Sequence, residues 1–152
     1  PSPPFATFPK FHDAVPVFIY LIDPDDQLFR VTRYLRAPLT PQRVLDALDD
    51  GPLPTELDQG IQSAIPPLAD LVAGGLSGGV LTVLLDSTFG SLGPGQATYE
   101  FAQIVYSVTS LPAVHRVLFK YNGGEIEPEV GNGSTATNFS VSRADYQQLL
   151  AS

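Results

Sequence analysis

The chain has 152 residues and a formal charge of −8, because 16 acidic residues outnumber eight basic ones. So few cations cannot neutralise a row of phosphates, which argues against nucleic acid as a partner. The absence of cysteine excludes disulfides and thiolate chemistry, and a hydrophobic content of 43% suffices for one globular domain without a metal or cofactor.

The first 16 residues hold five prolines and no periodic apolar pattern. This composition is typical of an extended arm (residues 1–16), which Phe5, Phe8 and Phe11 could dock against the domain. Residues 17–152 are expected to form a single α/β domain. The longest apolar run, Val15 to Ile22, is far shorter than the ~20 residues that span a bilayer.

Two strand patterns follow one another at the start of the domain. Val17 to Ile22 is apolar at every position, which fits a strand buried on both faces. Leu28 to Arg36 alternates between apolar and polar positions. Between them, Asp23-Pro24-Asp25-Asp26 supplies turn chemistry, so the two runs predict a hairpin.

The next segment carries helix signals at both ends. Thr40 can cap the free amides, Pro41 suits the first helical position, and Gly51 followed by Pro52 ends the helix. The apolar stripe of this helix consists of Val44, Leu45 and Leu48.

The middle of the chain is less regular. Residues 52–67 are expected to form a loop with a short extended piece at Ser63 to Ile65. Leu68 to Val72 is compatible with either a short strand or a turn. Val80 to Leu85 has the continuous apolar character of a central strand.

Gln96 to Leu111 has the strongest helical pattern, and Pro112 ends it. The apolar positions at helical spacing are Ala97, Phe101, Ile104, Val105, Val108 and Leu111. The opposite face is expected to carry Gln96, Glu100, Gln103, Ser107 and Ser110. An amphipathic helix of this kind covers a sheet with one face and meets solvent or a partner with the other.

The rest of the chain returns to strands. A strand is predicted at His115 to Tyr121, followed by a tight turn at Asn122-Gly123 and an edge strand at Glu125 to Val130. A loop is expected at Gly131 to Asn138. A short helix at Arg143 to Leu150 follows, and Ser142 with Asp145 forms the capping box at its start. This order predicts an α+β fold, with two amphipathic helices packed on one face of a mixed, mainly antiparallel sheet.

These stretches, in this order, resemble the GerMN domain of bacterial sporulation and spore-germination lipoproteins. The resemblance covers about Val17 to Leu150, and the run from Gln103 to Pro112 is its most specific part. The matching segments are VFIYLID (17–23), VLDALDDGP (44–52), QSAIP (62–66), LTVLLDSTF (81–89), QIVYSVTSLPAVHRVLF (103–119) and SRADYQQL (142–149).

The resemblance implies a sandwich similar to ring-building domains of secretion-type assemblies. It also implies an exported, envelope-located lipoprotein that acts in scaffolding and is not an enzyme, with another envelope protein or a second copy as partner. Membrane attachment would come only from an N-terminal lipid anchor, whose cysteine is absent from this chain. The alternative function is binding of a cell-wall fragment or another polar or anionic small ligand. A role in sporulation itself does not follow.

One segment matches the sequence motif of serine hydrolases. Gly75 to Gly79 fits G-x-S-x-G around Ser77, and Asp86 and His115 follow in hydrolase order. The nucleophile elbow needs a strand before the serine and a helix after it, whereas a strand follows here. A glycine-rich hairpin turn is the better interpretation.

Metal sites have little support in the sequence. His12 and His115 are the only histidines, and neither has a second metal ligand at helical spacing. Asp23, Asp25 and Asp26 lack the glycine and the terminal glutamate of a calcium loop, so a turn explains them better. We therefore assign no metal, no cofactor and no catalytic residue.

Two exposed surfaces remain as candidate sites. Arg30, Tyr34 and Arg36 share one face of a strand, where they either pair with carboxylates or form a platform for a polar or anionic ligand. On the second helix, Tyr99 and Tyr106 lie one heptad apart at the edge of the apolar stripe. They are either tyrosines at the boundary of the core or, together with Gln103, candidate contacts for a partner protein.

Overall fold

The computed structural model of the chain describes residues 14–66, 69–87, 96–121, 124–126, 128, 130–131 and 140–151. The expected arm up to residue 13, the Asn122-Gly123 turn, and the loop from residue 132 to 138 lie outside the described residues. Within the described part, no helix is long and apolar enough to cross a membrane.

The described part of the chain begins with the predicted hairpin. Strand β1 (Ala14–Ile22) pairs antiparallel with β2 (Leu28–Arg36) along its whole length. Because β1 starts at Ala14, residues 14–16 of the expected arm belong to the strand. In the turn, Asp23 Oδ1 accepts the main-chain N–H groups of Asp25 and Gln27, both at 2.9 Å. The aspartates therefore make a turn, as expected.

Two helices follow, one predicted and one missed. Helix α1 (Pro41–Asp49) starts at Thr40, whose Oγ1 accepts the N–H of Arg43 at 3.3 Å. Its apolar stripe is buried as predicted. Helix α2 (Pro54–Asp58) replaces part of the expected loop and has no buried residue. A five-residue helix without an apolar stripe leaves no periodic signal in the sequence.

The remaining strands form a second sheet. They are β3 (Val72–Ser77), β4 (Val80–Leu85), β5 (Arg116–Tyr121), β6 (Gly124–Glu125) and β7 (Ser140–Val141), in the order β3-β4-β5-β6, with β7 also on β5. The β4–β5 pair is parallel, and the other pairs are antiparallel. The mixed α+β class is confirmed, but the described strands form two sheets instead of one.

The glycine-rich segment is the hairpin between β3 and β4. Gly78 and Gly79 make the turn with φ of 58° and 83°, values that favour glycine. A Cβ on Gly79 would lie 2.7 Å from the imidazole of His115, so the turn also packs closely on the start of β5. Ser77 ends a strand that leads into another strand, which confirms the interpretation as a hairpin.

Helix α3 (Gln96–Val108) connects β4 to the parallel strand β5. Its Phe101 packs on Phe119 of β5 with ring centroids 4.7 Å apart. Ten of its 13 residues are buried, so the expected polar outer face is wrong. A 3₁₀ helix (Arg143–Leu149) ends the described chain, and Asp145 accepts the N–H of Ser142 at 2.8 Å as the capping box predicts.

Candidate functional site at the outer edge of strand β2

The polar stripe of α3 seals the inner edge of the β1–β2 hairpin. Ser107 Oγ accepts the N–H of Tyr20 at 2.9 Å, and Gln103 Nε2 donates to the carbonyl of Tyr20 at 3.0 Å. Ser110 Oγ donates to the carbonyl of Phe18 at 3.1 Å. The helix and Ser110, two residues beyond its end, thus supply hydrogen bonds that a neighbouring strand would otherwise make with β1.

Gln103 is therefore wrongly assigned as a partner contact. Its side chain is fully buried, and its Oε1 also accepts the N–H of Ala64 at 2.7 Å. Helical spacing correctly places Gln103 away from the apolar stripe. It cannot show whether that second face meets water or, as here, the unpaired edge of a strand.

Tyr106 is also wrongly assigned, because only 3% of it is exposed. Its hydroxyl donates to the carbonyl of Arg143 at 3.0 Å, and its ring lies 5.0 Å from that of Tyr20. The Arg143 guanidinium stacks over the Tyr106 ring at 4.9 Å. Burial raises the pKa of Tyr106 above its ordinary value. This tyrosine holds the C-terminal 3₁₀ helix against α3.

Tyr99 is partly exposed, but its hydroxyl has an internal role. It donates to the carbonyl of Asp26 at 2.6 Å and so ties α3 to the turn between β1 and β2. Burial, and then the nearby Asp26 and Asp23, raise the pKa of Tyr99. Its role as a partner contact stays a prediction.

The outer edge of β2 contrasts with the sealed edge of β1. The carbonyl of Leu28 accepts the N–H of Ala151 at 2.7 Å, which shows that even-numbered residues of β2 turn their main chain away from β1. At the other end, the guanidinium of Arg43 donates to the carbonyl of Arg36. Between these two contacts, the alternation of a strand directs three further residues outward: Arg30, Thr32 and Tyr34.

In the described part of the chain, these three residues have almost no main-chain partners on the outer side. The carbonyl of Thr32 receives a long contact of 3.4 Å from the Arg33 guanidinium. Among the described residues, this edge pairs only at its start, where Leu28 forms a parallel bridge with Leu150. An exposed edge of this kind is a template for pairing with another chain.

The predicted platform of Arg30, Tyr34 and Arg36 lies along this edge. All three side chains are exposed, and Tyr34 is 70% exposed. The guanidinium of Arg30 stacks over the ring of Phe18 at 4.3 Å. The expected alternative, pairing with carboxylates, is realised instead by Arg33, which binds both oxygens of Glu56 at 2.7 and 2.9 Å. These hydrogen bonds lower the pKa of Glu56.

A groove of about 550 Å³ opens beside the C-terminal half of β2. Its wall includes Tyr34 and Arg36 of the platform, but Arg30 lies outside it. The residues that line it are Arg33, Tyr34, Leu35 and Arg36 of β2, Arg43, Asp46 and Ala47 of α1, Asp50, Gly51, Pro52 and Leu53 between the helices, and Pro54 at the start of α2. The groove thus combines apolar walls with arginines from two elements and with the aspartates Asp46 and Asp50.

A second feature, missed by the sequence reasoning, is a buried carboxyl on α3. Glu100 is 1% exposed, and its Oε1 has no hydrogen-bond partner among the described residues. Burial, followed by the charges of Asp86 and Asp49, raises its pKa to about 7. Burial and the charges of Asp50 and other aspartates raise the pKa of Asp49 to about 6. The described residues contain no group of three ligands arranged for a metal ion.

Ser77, Asp86 and His115, the residues in hydrolase order, have structural roles. Ser77 precedes the β3–β4 turn, and His115 packs against that turn through Gly79. Asp86 Oδ2 accepts the main-chain N–H of Asp70 at 2.8 Å. The strand-to-helix turn that would expose a nucleophilic serine is not formed at Ser77.

Taken together, these features define an α+β domain in which α3 seals one edge of a hairpin, while the other edge is open from Arg30 to Tyr34 as far as the described residues show. The sequence profile of the Germane family, described as sporulation and spore germination, matches residues 18–127. The match covers more than half of the chain, and the chain belongs to this family. The resemblance to GerMN domains is therefore confirmed.

Solved structures show the same fold. Over 87% of this chain, the tandem GerMN domains of the sporulation protein GerM from Bacillus subtilis superpose with a TM-score of 0.66 at 19% identity. This chain spans 47% of that one, about half its length. The first GerMN domain of GerM alone gives a TM-score of 0.64 at 20% identity, with 86% of this chain and 99% of that chain covered.

A third solved structure also has a similar fold. A candidate lipoprotein from Clostridium perfringens matches over 93% of this chain and 96% of its own, with a TM-score of 0.54 at 15% identity. The curated proteins contain no match.

Proposed function

We propose that this domain is a non-catalytic protein-interaction and assembly module of an extracytoplasmic envelope lipoprotein. The observation that carries the proposal is the contrast between the two edges of one hairpin. Side chains of α3 satisfy β1, whereas the outward main-chain groups of Arg30, Thr32 and Tyr34 on β2 have almost no partners among the described residues and lie beside exposed arginine and tyrosine side chains. The partner is another envelope protein or a second copy of the chain.

The location is proposed from the relatives. The family is described by sporulation and spore germination, and one structural relative is a candidate lipoprotein. In the full-length protein, an N-terminal lipid anchor would hold the domain at the membrane. The lack of catalysis is supported by the structural use of Ser77, His115 and Asp86 in a hairpin and a loop contact.

The test is site-specific photocrosslinking of the full-length protein in its native cells. A photoreactive amino acid at Tyr34, on the open edge, should capture one defined envelope protein. The matched control is the same amino acid at the exposed Glu125 on the second sheet, which should not capture that protein. Equal capture from both positions, or hydrolytic turnover that Ser77→Ala abolishes, would contradict the proposal.

A second candidate function is binding of a polar or anionic small ligand, such as a cell-wall fragment, in the groove. The groove volume of about 550 Å³ supports it, because small-molecule sites usually measure about 300–1,000 Å³. Tyr34 and Arg36 of the predicted platform line this groove, whereas Arg30 lies outside it. Calorimetric titration with soluble peptidoglycan fragments should show binding that Arg36→Ala weakens. Unchanged affinity in that variant would remove this candidate.

A further inference from the structure

We propose that the open edge of β2 takes up an extended acidic segment of a partner protein as an additional strand. This inference rests on the interaction function proposed above and names its surface and the chemistry of its partner. Three residues supply outward N–H and C=O groups at every second position: Arg30, Thr32 and Tyr34. An added strand would satisfy all six groups, which is the source of affinity in strand addition.

The charge of the edge selects an acidic partner. Strand β2 contains three arginines and no acidic residue, although the chain as a whole has a charge of −8. Arg33 is neutralised by Glu56, whereas Arg30 and Arg36 have no carboxylate partner among the described residues. Opposite charges on directly opposed residues stabilise neighbouring strands, and like charges destabilise them. Carboxylates facing Arg30 and Arg36 therefore favour pairing.

The groove determines which side chains are favoured on the other face of the incoming strand. Successive side chains of a strand point to opposite faces, so alternate residues of an added strand would meet two different environments. One set would face the exposed Arg30, Tyr34 and Arg36, of which the last two also border the groove. The other set would face the groove, whose apolar wall includes Leu35 and Leu53, the latter 48% exposed. The expected segment thus alternates acidic and apolar residues.

A second copy of this chain is a poorer occupant of the same edge. Antiparallel pairing of two β2 strands about Thr32 would bring two sets of three arginines side by side, in two molecules that each have a charge of −8. Pairing about Arg33 would place Arg30 directly opposite Arg36 of the other copy. Like charges in these positions oppose self-pairing.

The experiment uses the full chain and a synthetic peptide that alternates glutamate and valine over nine residues, the length of β2. Calorimetry should detect binding, and the same peptide with lysine in place of glutamate should bind at least about tenfold more weakly. Hydrogen exchange should slow at the amides of Arg30, Thr32 and Tyr34 on addition of the acidic peptide. Unchanged exchange at all three amides would overturn the proposal.

N-methylation of the peptide tests the main-chain contacts without changing the protein. Alternate residues of an added strand direct their N–H groups toward β2, and the others direct them away. Methylation of one alternate set should abolish binding, and methylation of the other set should leave it intact. Equal affinities for the two methylated peptides would exclude strand addition.

A matched pair of variants tests the protein side. Thr32→Pro removes an outward N–H that takes no part in the β1–β2 ladder and should abolish peptide binding, whereas Thr32→Val keeps the N–H and should bind normally. Sedimentation of the chain, which measures its oligomeric state, provides a further test. A dimer that Thr32→Pro dissolves would assign the edge to a second copy and overturn the acidic-partner proposal.

Failure of this inference can be told apart from failure of the proposed function. If the acidic peptide does not bind but the crosslinker at Tyr34 still captures an envelope protein, the interaction module stands and strand addition by an acidic segment falls. If neither the peptide binds nor the crosslinker captures a partner, both proposals fall.

Discussion

The buried Glu100 makes the stability of this domain depend on pH in a predictable direction. Its pKa is raised from the ordinary 4.5 to about 7, with burial as the largest cause. The unfolded chain therefore ionises this carboxyl more easily than the folded protein does. The favourable contribution of the protonated carboxyl is fully present below about pH 4.5 and is lost as the pH rises through about 7.

The substitution Glu100→Gln should remove this dependence, because the amide keeps the shape of the protonated carboxyl and does not ionise. A difference in pKa of about 2.5 corresponds to at most about 3 kcal/mol, at about 1.4 kcal/mol for each tenfold change in acidity. The variant should match the wild type near pH 4.5. Near pH 8 it should unfold with a free energy up to about 3 kcal/mol higher than that of the wild type.

Urea denaturation over this pH range measures the effect. Circular dichroism and tyrosine fluorescence can report unfolding, since the chain has six tyrosines and no tryptophan. The control Glu125→Gln alters an exposed carboxyl on β6 and should leave the curve of stability against pH unchanged. If the curves of the Glu100 variant and the wild type run parallel from acidic to alkaline pH, the assignment of a raised pKa to Glu100 is refuted.

Two further substitutions test the packing. Gln103→Leu leaves the carbonyl of Tyr20 on β1 and the N–H of Ala64 without their partner and should lower the unfolding free energy by about 2–4 kcal/mol. Gln59→Leu on the surface should change it little, and equal effects in urea would contradict the edge-sealing role. Gly79→Ala should cost about 1–3 kcal/mol, because its φ is 83° and a Cβ would clash with His115. Gly75→Ala meets open space and should cost much less in thermal unfolding, so similar losses would argue against the close contact.

Local signals made the hairpin and the first helix predictable. The turn depends on Asp23, whose carboxylate bonds amides two and four residues later, and α1 begins where Thr40 caps it. Contacts between residues close in sequence follow short sequence motifs, so they can be predicted from the sequence. The alternation of β2 likewise predicted that Arg30, Tyr34 and Arg36 share an exposed face.

The errors concern contacts between residues far apart in the chain. The period of α3 showed which residues share a face, but Gln103 and Tyr20 are 83 positions apart, and their hydrogen bond has no local signature. Glu100 was expected in solvent for the same reason. The groove could not be predicted, because it forms where α1 and the segment before α2 approach β2. The sequence pattern shows which residues share a face of a helix or strand, whereas only the folded structure shows what that face contacts.

Helix side chains satisfy the main-chain groups at other strand edges of this domain, and this contrast supports a specific function for the outer edge of β2. Polar side chains of α3 satisfy β1, and Gln42 of α1 does the same at the start of β3, where it bonds the carbonyl of Leu71 at 2.9 Å and the N–H of Ala73 at 2.7 Å. An open edge exposes a protein to aggregation, and charged side chains on it are a common protection. In the strand addition that we propose, the arginines of β2 oppose pairing with a second copy and favour a strand of opposite charge. The same residues therefore define the chemistry of the partner that we propose for this edge.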